Sequence, residues 1–293
     1  MDTAGVAVVG SANLDLVMAV HRLPAPGETV LGQELSEVAG GKGLNQAIAA
    51  ARHSSSTLIG CVGNDPAAKT LEEVLQEAGV DTRHLQRSSG PTGRAFISVA
   101  ADGENSIVVL PLANRALDVS NVLRALDAIR PAVVLSQLEI PIDVVQHVAS
   151  WSAANGARFV LNPSPVTALE RTLLEVSDPL IVNASEARAI LRSIGSTTSM
   201  NVPNAESAAR ALLAVTSSVV VTDGSHGAWA GSTPDEVNLV PGHSVVARDT
   251  TGAGDEFAGV LAAHLAGGMA LREAATMANE AAARLVQIPR VER

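Results

Sequence analysis

The stretch from Arg248 to Gly259, RDTTGAGDEFAG, combines the parts of an anion site with those of a base. Gly252 and Gly254 let the chain turn sharply, so that successive N–H groups can face one point. An apolar helical pattern follows at once, with Phe257, Val260, Leu261, His264 and Leu265 at helical spacing. The start of that helix adds its dipole at the same point, and no lysine or arginine is needed to hold an anion there. Asp255 stands beside it as a proton acceptor. Phosphoryl transfer requires such a set: preorganised amides around the moving group and a carboxylate for the attacking hydroxyl's proton. Taken alone, a G-x-G-D is equally a tight loop with Asp255 as a helix cap, so other segments must decide.

A second candidate is Ala39-Gly-Gly-Lys-Gly-Leu-Asn-Gln-Ala47, whose three glycines let backbone wrap a small polar ligand. Asn45 can both donate to and accept from hydroxyls; the rival reading is a glycine-rich turn with an exposed Lys42. Upstream, Gly10-Ser-Ala-Asn-Leu-Asp15 sets Asn13 and Asp15 two apart, suited to paired hydroxyls or to an Asx turn. Asn183-Ala-Ser-Glu186 places a carboxylate three residues from an amide, either to orient hydrated Mg²⁺ or to cap a helix. Thr222-Asp-Gly-Ser-His-Gly227 is another glycine-bearing turn after a strand. Residues 63–70 come within one residue of a P-loop, but Ala68 replaces the second glycine and Pro66 removes an amide. Asp65–Pro66 reads better as a helix cap.

The elements that must position these residues alternate. Apolar β-branched runs at 6–10, 57–62, 132–137, 157–162, 179–183 and 219–223 read as strands buried on both faces. Helical periodicities lie between them, as at Leu44, Ala47, Ile48 and Ala51, and at Val122, Ala125, Leu126 and Ile129. The expected fold is α/β: a doubly wound, mostly parallel sheet flanked by helices, with ligands beyond the carboxyl ends of its strands. Residues 14–33 and 93–110 break the alternation with extended patterns, the second turning at Asp102–Gly103. They predict a small β-sheet lid, built from about 14–36 and 92–112, on one domain spanning 1–293.

Bulk properties narrow the classes. An apolar content of 47% with mean hydropathy +0.25 is a core-forming composition. A net charge of −10 and a pI near 5.1 argue against nucleic acid as a partner. Cys61 is the single cysteine, which points to a reducing compartment. The start lacks a signal peptide's basic and long apolar regions, and no run is apolar enough to span a membrane. A cytoplasmic protein is expected. The seven histidines show no metal-ligand spacing.

In their order, GSANLD, AGGKGLNQA, TGRAFISVAADGENSIVVL, QLE, NASEA, TDGSHG and DTTGAGDEFAG are similar to the ribokinase branch of the PfkB carbohydrate kinase family. The resemblance runs from residue 5 to about 288, and GGKGxNQA and DTTGAGD are its most specific parts. It implies ATP-dependent phosphorylation of a pentose at its primary hydroxyl, foremost D-ribose to ribose 5-phosphate. Asp255 would be the general base, and the amides of Gly252, Ala253, Gly254 and Asp255 the anion hole. Asn13, Asp15, Gly41, Lys42, Asn45 and Glu139 would contact the sugar. Asn183 and Glu186 match the family's NxxE near Mg²⁺ and phosphates, with Glu186 acting through water. Thr222, Gly224, Ser225, Gly227 and Asn279, with Gly254, would meet the adenine nucleotide. Asp249 and Thr251 match half of a K⁺ site, and the lid would pair subunits into a homodimer. A kinase for deoxyribose, another furanose or a nucleoside is the alternative, as is a catalytically weak sugar-binding homologue.

The sequence also departs from the family pattern. Glu256 follows the base where a small or hydroxyl residue is usual; facing the anion hole it would repel a phosphate by on the order of 1 kcal/mol, and the expectation is that it points away. The tail Gln287–Arg293 leaves the other half of the K⁺ site missing or altered, so weak activation by K⁺ is expected. Leu112 stands where a glycine is usual, and the link at His53–Thr57 is short.

Overall fold

A computed structural model describes residues 5–195 and 202–289. In chain order, β1 (Val6–Val9) leads to β2 (Asn13–Val20) and β3 (Gly32–Gly40), then α1 (Lys42–Ala51), β4 (Ser56–Ile59) and the short β5 (Cys61–Val62). α2 (Pro66–Glu77) and β6 (Gln86–Arg87) precede the hairpin of β7 (Gly93–Ala100) and β8 (Asn105–Leu110). After a 3₁₀ turn at Leu112–Ala116 come α3 (Val119–Ile129), β9 (Val133–Gln137), α4 (Ile142–Asn155), β10 (Arg158–Asn162) and α5 (Arg171–Glu175). β11 (Leu180–Asn183), α6 (Ala184–Ser193), α7 (Ala205–Leu212), β12 (Val219–Thr222), β13 (Gly227–Gly231) and β14 (Asn238–Pro241) follow, before α8 (Ala253–Ala266) and α9 (Leu271–Leu285).

The main sheet has the order β14-β13-β12-β11-β10-β9-β1-β4, parallel from β12 to β4, with β13 and β14 antiparallel at one edge. Alternation along each strand feeds two cores. Val6 and Val8 of β1 join α1, α2, α8 and α9 on one face, while Ala7 and Val9 join α3, α4, α6 and α7 on the other. Both faces are covered, which is why the strands read as unbroken apolar runs. The chain leaves β1 toward β4 on one side and returns to β9 on the other. That reversal opens a crevice at the carboxyl end of β1, where Ser11, Asn13 and Asp15 follow.

The segments expected to form a lid make a second sheet of order β3-β2-β7-β8. The Asp102–Gly103 turn forms as expected, with Gly103 at φ 89° and its N–H donating to Ala100 O. Two expectations need correction. The extended pattern at 14–33 is not continuous: β2 ends at Val20 and pairing resumes at Gly32, because Pro24, Pro26 and Gly27 interrupt the ladder. The run at 57–62 breaks at Gly60, where a side chain would lie 2.8 Å from the Gly10 carbonyl oxygen, and β5 pairs with β6 instead. Leu112 adopts φ 46°, the left-handed region that glycine occupies freely, at a cost of roughly 1–2 kcal/mol. No helix among the described residues is long and apolar enough to cross a membrane.

The P-loop lookalike is resolved as a capped helix. Asp65 accepts from the Ala68 N–H at 3.0 Å, and also from the Thr92 N–H and hydroxyl, tying α2 to the start of β7 in the second sheet. Burial pushes the Asp65 carboxyl up, but these hydrogen bonds and nearby Arg94 outweigh it and hold the carboxyl below its ordinary value. A depressed folded pKa contributes stability above the unfolded value of 3.8, lost as pH falls through the lower folded value. Asp65→Ala should therefore lose about 1–2 kcal/mol at pH 7. The gap to the parent should narrow as the pH of a denaturant titration is lowered below 3.8; an equal gap at pH 7 and pH 3 would contradict this cause.

Candidate active site

The site is assembled where α1 and α8 cross beneath the β1–β2 connection. Three glycines set the close approaches. A Cβ at Gly43 would lie 2.5 Å from the Ser11 nitrogen, so only glycine lets α1 begin against that loop. A Cβ at Gly40 would lie 2.2 Å from Asp15 Oδ2, and one at Gly259 would lie 2.4 Å from the Gln46 carbonyl oxygen and 2.6 Å from Ala49 Cβ. The last contact brings the two helices together at the level of Asp255.

Asp255 is 7% exposed and has its side-chain partners on α1. Gln46 Nε2 donates to Oδ1 at 2.9 Å, Asn45 Nδ2 approaches Oδ2 at 3.4 Å, and Lys42 Nζ lies 3.8 Å from Oδ1. Gln46 is itself fixed: its Nε2 also reaches Asn162 Oδ1 at 3.1 Å, and its Oε1 accepts from Gln137 Nε2 at 2.7 Å. Sequence reasoning quoted Gln46 within a motif but gave it no role. Its place one residue beyond Asn45, on a buried amphipathic helix, was the available signal. Burial works against the Lys42 charge, but the carboxylates of Asp255, Glu139 and Glu186 outweigh it and raise the ammonium above its ordinary value. Lys42 is thus a fixed cation amid three carboxylates from different parts of the chain.

The helix start has the shape expected of an anion cradle, with one difference. Gly252, at φ 79°, is the N-cap of α8, and among the described residues no acceptor meets the N–H groups of Gly252, Gly254 and Asp255. The Ala253 N–H is engaged, donating to Thr250 O at 3.2 Å, because the turn that aims its neighbours consumes it. Unsatisfied amides beside a buried carboxylate fit the oxygens of a phosphoryl group next to a base.

The remaining candidates group around this centre. Asn13 Oδ1 accepts from Asn114 Nδ2 at 2.8 Å, and Asp15 is buried on β2 beside Gly40. Glu139 Oε2 accepts from the Ser11 hydroxyl at 2.6 Å and from the Lys42 N–H at 3.1 Å, joining the β1–β2 loop to the start of α1. Gly41, at φ 89°, is the N-cap of α1 and packs on the Asn13 nitrogen. Asn183 and Glu186 form the reciprocal cap of α6: Asn183 Oδ1 accepts from the Ser185 and Glu186 N–H groups, and Glu186 Oε2 from the Asn183 N–H. The cap therefore forms, and Glu186 also acts on Lys42.

Thr222, Gly224, Ser225 and Gly227 lie at the β12–β13 turn, while Asn279 on α9 donates to Val240 O and Pro241 O at 3.2 Å. Asp249 Oδ1 accepts from the Thr251 N–H at 2.8 Å, and the Arg248 and Asp249 N–H groups donate to Val286 O at the end of α9. Glu256 turns to α1, where Arg52 Nη1 donates to both of its oxygens. Arg52 was missed from sequence, because nothing in its neighbourhood marks it.

A model of the pfkB family carbohydrate kinases matches residues 3–291. The chain belongs to that family and is a sugar kinase. Within the family its similarity is to ribokinases. It is 36% identical to the ribokinase of Haemophilus influenzae over 86% of this chain and 82% of that protein. The crystal structure of the Thermotoga maritima ribokinase superposes with a TM-score of 0.88 at 30% identity, covering 97% and 93% of the two chains. The structure of the Arabidopsis thaliana ribokinase complexed with ribose and ATP gives 0.83 at 28% identity, again over 97% and 93%.

If the α1–α8 crossing sets the carboxylate, Gly259→Ala should cost roughly 1–3 kcal/mol by overpacking. Turnover should fall with it, as Asp255 moves from Gln46. Denaturant unfolding and steady-state kinetics check both, and an alanine variant with parental stability and kcat would contradict the assignment.

Proposed function

We propose that this kinase transfers the γ-phosphoryl group of ATP to the primary hydroxyl of a pentose, D-ribose foremost, to give ribose 5-phosphate. The observation that carries the reading is a buried carboxylate, held by Gln46, Asn45 and Lys42, within three residues of the unsatisfied amides of Gly252 and Gly254. Asp255 accepts the hydroxyl proton as the oxygen attacks in line, and the amides of the helix start hold the charge that develops. Asn13, Asp15, Gly41, Lys42, Asn45 and Glu139 orient the sugar. The 222–227 turn and Asn279 hold the adenine nucleotide. Glu186, with Asn183, would orient Mg²⁺, whose charge offsets that of the phosphates. The lid covers the site and keeps water from competing with the sugar.

A coupled ADP-release assay across pentoses tests this, with D-ribose preferred over deoxyribose. Asp255→Asn should retain ribose binding and lose kcat by roughly 10²–10⁴; unchanged transfer would remove the base assignment. Ribose binding without turnover in the parent would leave a binding protein. Asp249 and Thr251 would contribute to a monovalent-cation site in this reading.

The lid also supports a homodimer. β8 is an edge strand exposed along its whole length, and Ile107, Val108, Val109 and Leu110 with Phe96 leave an apolar surface uncovered. Val108→Glu should turn the dimer into a monomer in sedimentation velocity. A parent that sediments as a monomer at high concentration would contradict the pairing.

A further inference from the structure

Glu256 presents an electrostatic problem that the rest of the site does not solve. It lies in the first turn of α8, one residue beyond Asp255, and is 8% exposed. A carboxylate at a helix start is favoured by the helix dipole, but it draws on the same positive potential that an anionic ligand needs there. Buried and unpaired, it would lower the affinity of the Gly252–Asp255 amides for phosphate.

Arg52 offsets it. From the C-cap of α1, Arg52 Nη1 donates to Glu256 Oε1 at 2.6 Å and Oε2 at 2.7 Å. Each charge sits at a helix end whose dipole favours it. Among the described residues Arg52 is the only cation in ion-pair reach of Glu256. The guanidinium is half exposed, while the carboxylate it meets is buried. Together with Asn45, Thr251 and Gly252 the pair lines a cleft of about 730 Å³ beside the helix start.

We propose that Arg52 is a positioning residue for the phosphoryl donor: it neutralises Glu256 and so keeps the start of α8 receptive to the terminal phosphate of ATP. This rests on reading the 252–255 amides as the phosphoryl site. The sugar is uncharged, so the pair should govern the donor and leave the acceptor alone. An uncompensated charge at a helix start changes anion affinity by about tenfold. Arg52→Met should therefore raise the KM for ATP by about that factor while the KM for ribose stays in place. Arg52→Lys should keep the parental KM for ATP. Glu256→Gln sets the baseline, and adding Arg52→Met to it should cause no further rise.

Equal KM values for ATP in parent and Arg52→Met would overturn the proposal while leaving the kinase reading intact. So would a double variant as impaired as Arg52→Met. If Arg52→Met fails to fold by thermal melt, the Arg52→Lys and double variants decide the question on the same criteria. Calorimetric titration with ATP separates the two claims. A parent that binds ATP without transferring it removes the kinase reading, and tenfold weaker ATP binding by Arg52→Met in that case still supports the pair.

Discussion

The approach of α1 to α8 at Gly259 is the constraint on which the rest of the site depends. α8 is nearly all small or apolar, and its residues from Asp255 to Ala263 are buried. With no side chain at Gly259, α1 comes within contact of the α8 backbone, and the polar residues at its start, Lys42, Asn45 and Gln46, meet a carboxylate that would otherwise be buried alone. An isolated charge at that depth would be costly to bury. Here a cation and two amides keep it in place, and Gln137 and Asn162 hold the nearer amide in turn. Packing and electrostatics are thus one problem at this crossing.

A second consequence concerns charge. The chain carries −10 overall, yet in the proposed function it must bind a polyanion. In that function it would do so through backbone dipoles at one helix start, beside the partly buried Lys42. Carboxylates converge there from the β9–α4 connection (Glu139), the start of α6 (Glu186) and α8 itself (Asp255, Glu256), so each requires a partner. Lys42 serves three of them and Arg52 the fourth. Such a balance explains how an acidic protein can keep one locally receptive point.

Much of this was legible in the sequence, because the signals were local. Apolar runs of strand length, caps at Asp65 and Gly156 and the Asp102–Gly103 turn follow from residue preferences that act within a few positions. The glycines at 40, 41 and 43 marked one turn of the site, where a side chain would strike backbone or a carboxylate, and Gly252 marked the other through its φ of 79°. What escaped was long-range. Nothing near Arg52 or Glu256 announces a pair across more than 200 positions, and Gln46 becomes a holder of Asp255 only once α8 crosses α1. The β13–β14 edge was missed because GAWAG and NLVP are short and lack a clear alternation. Strand order too is a property of the assembled sheet. The engagement of the Ala253 N–H was not foreseen, because a glycine-rich turn must spend some amides to aim the others.

The central claim is geometric: the amides of Gly252, Gly254 and Asp255 surround the transferring phosphoryl group while the Asp255 carboxylate faces the sugar hydroxyl. A crystal structure of the enzyme with ADP, Mg²⁺, ribose and a planar metal-fluoride mimic of the phosphoryl group would test it most directly. The account predicts fluorides about 3 Å from those three nitrogens, with a ribose oxygen at a similar distance from an Asp255 carboxylate oxygen. A mimic bound away from the start of α8, or an Asp255 side chain still turned to Gln46 with no sugar oxygen in reach, would contradict it.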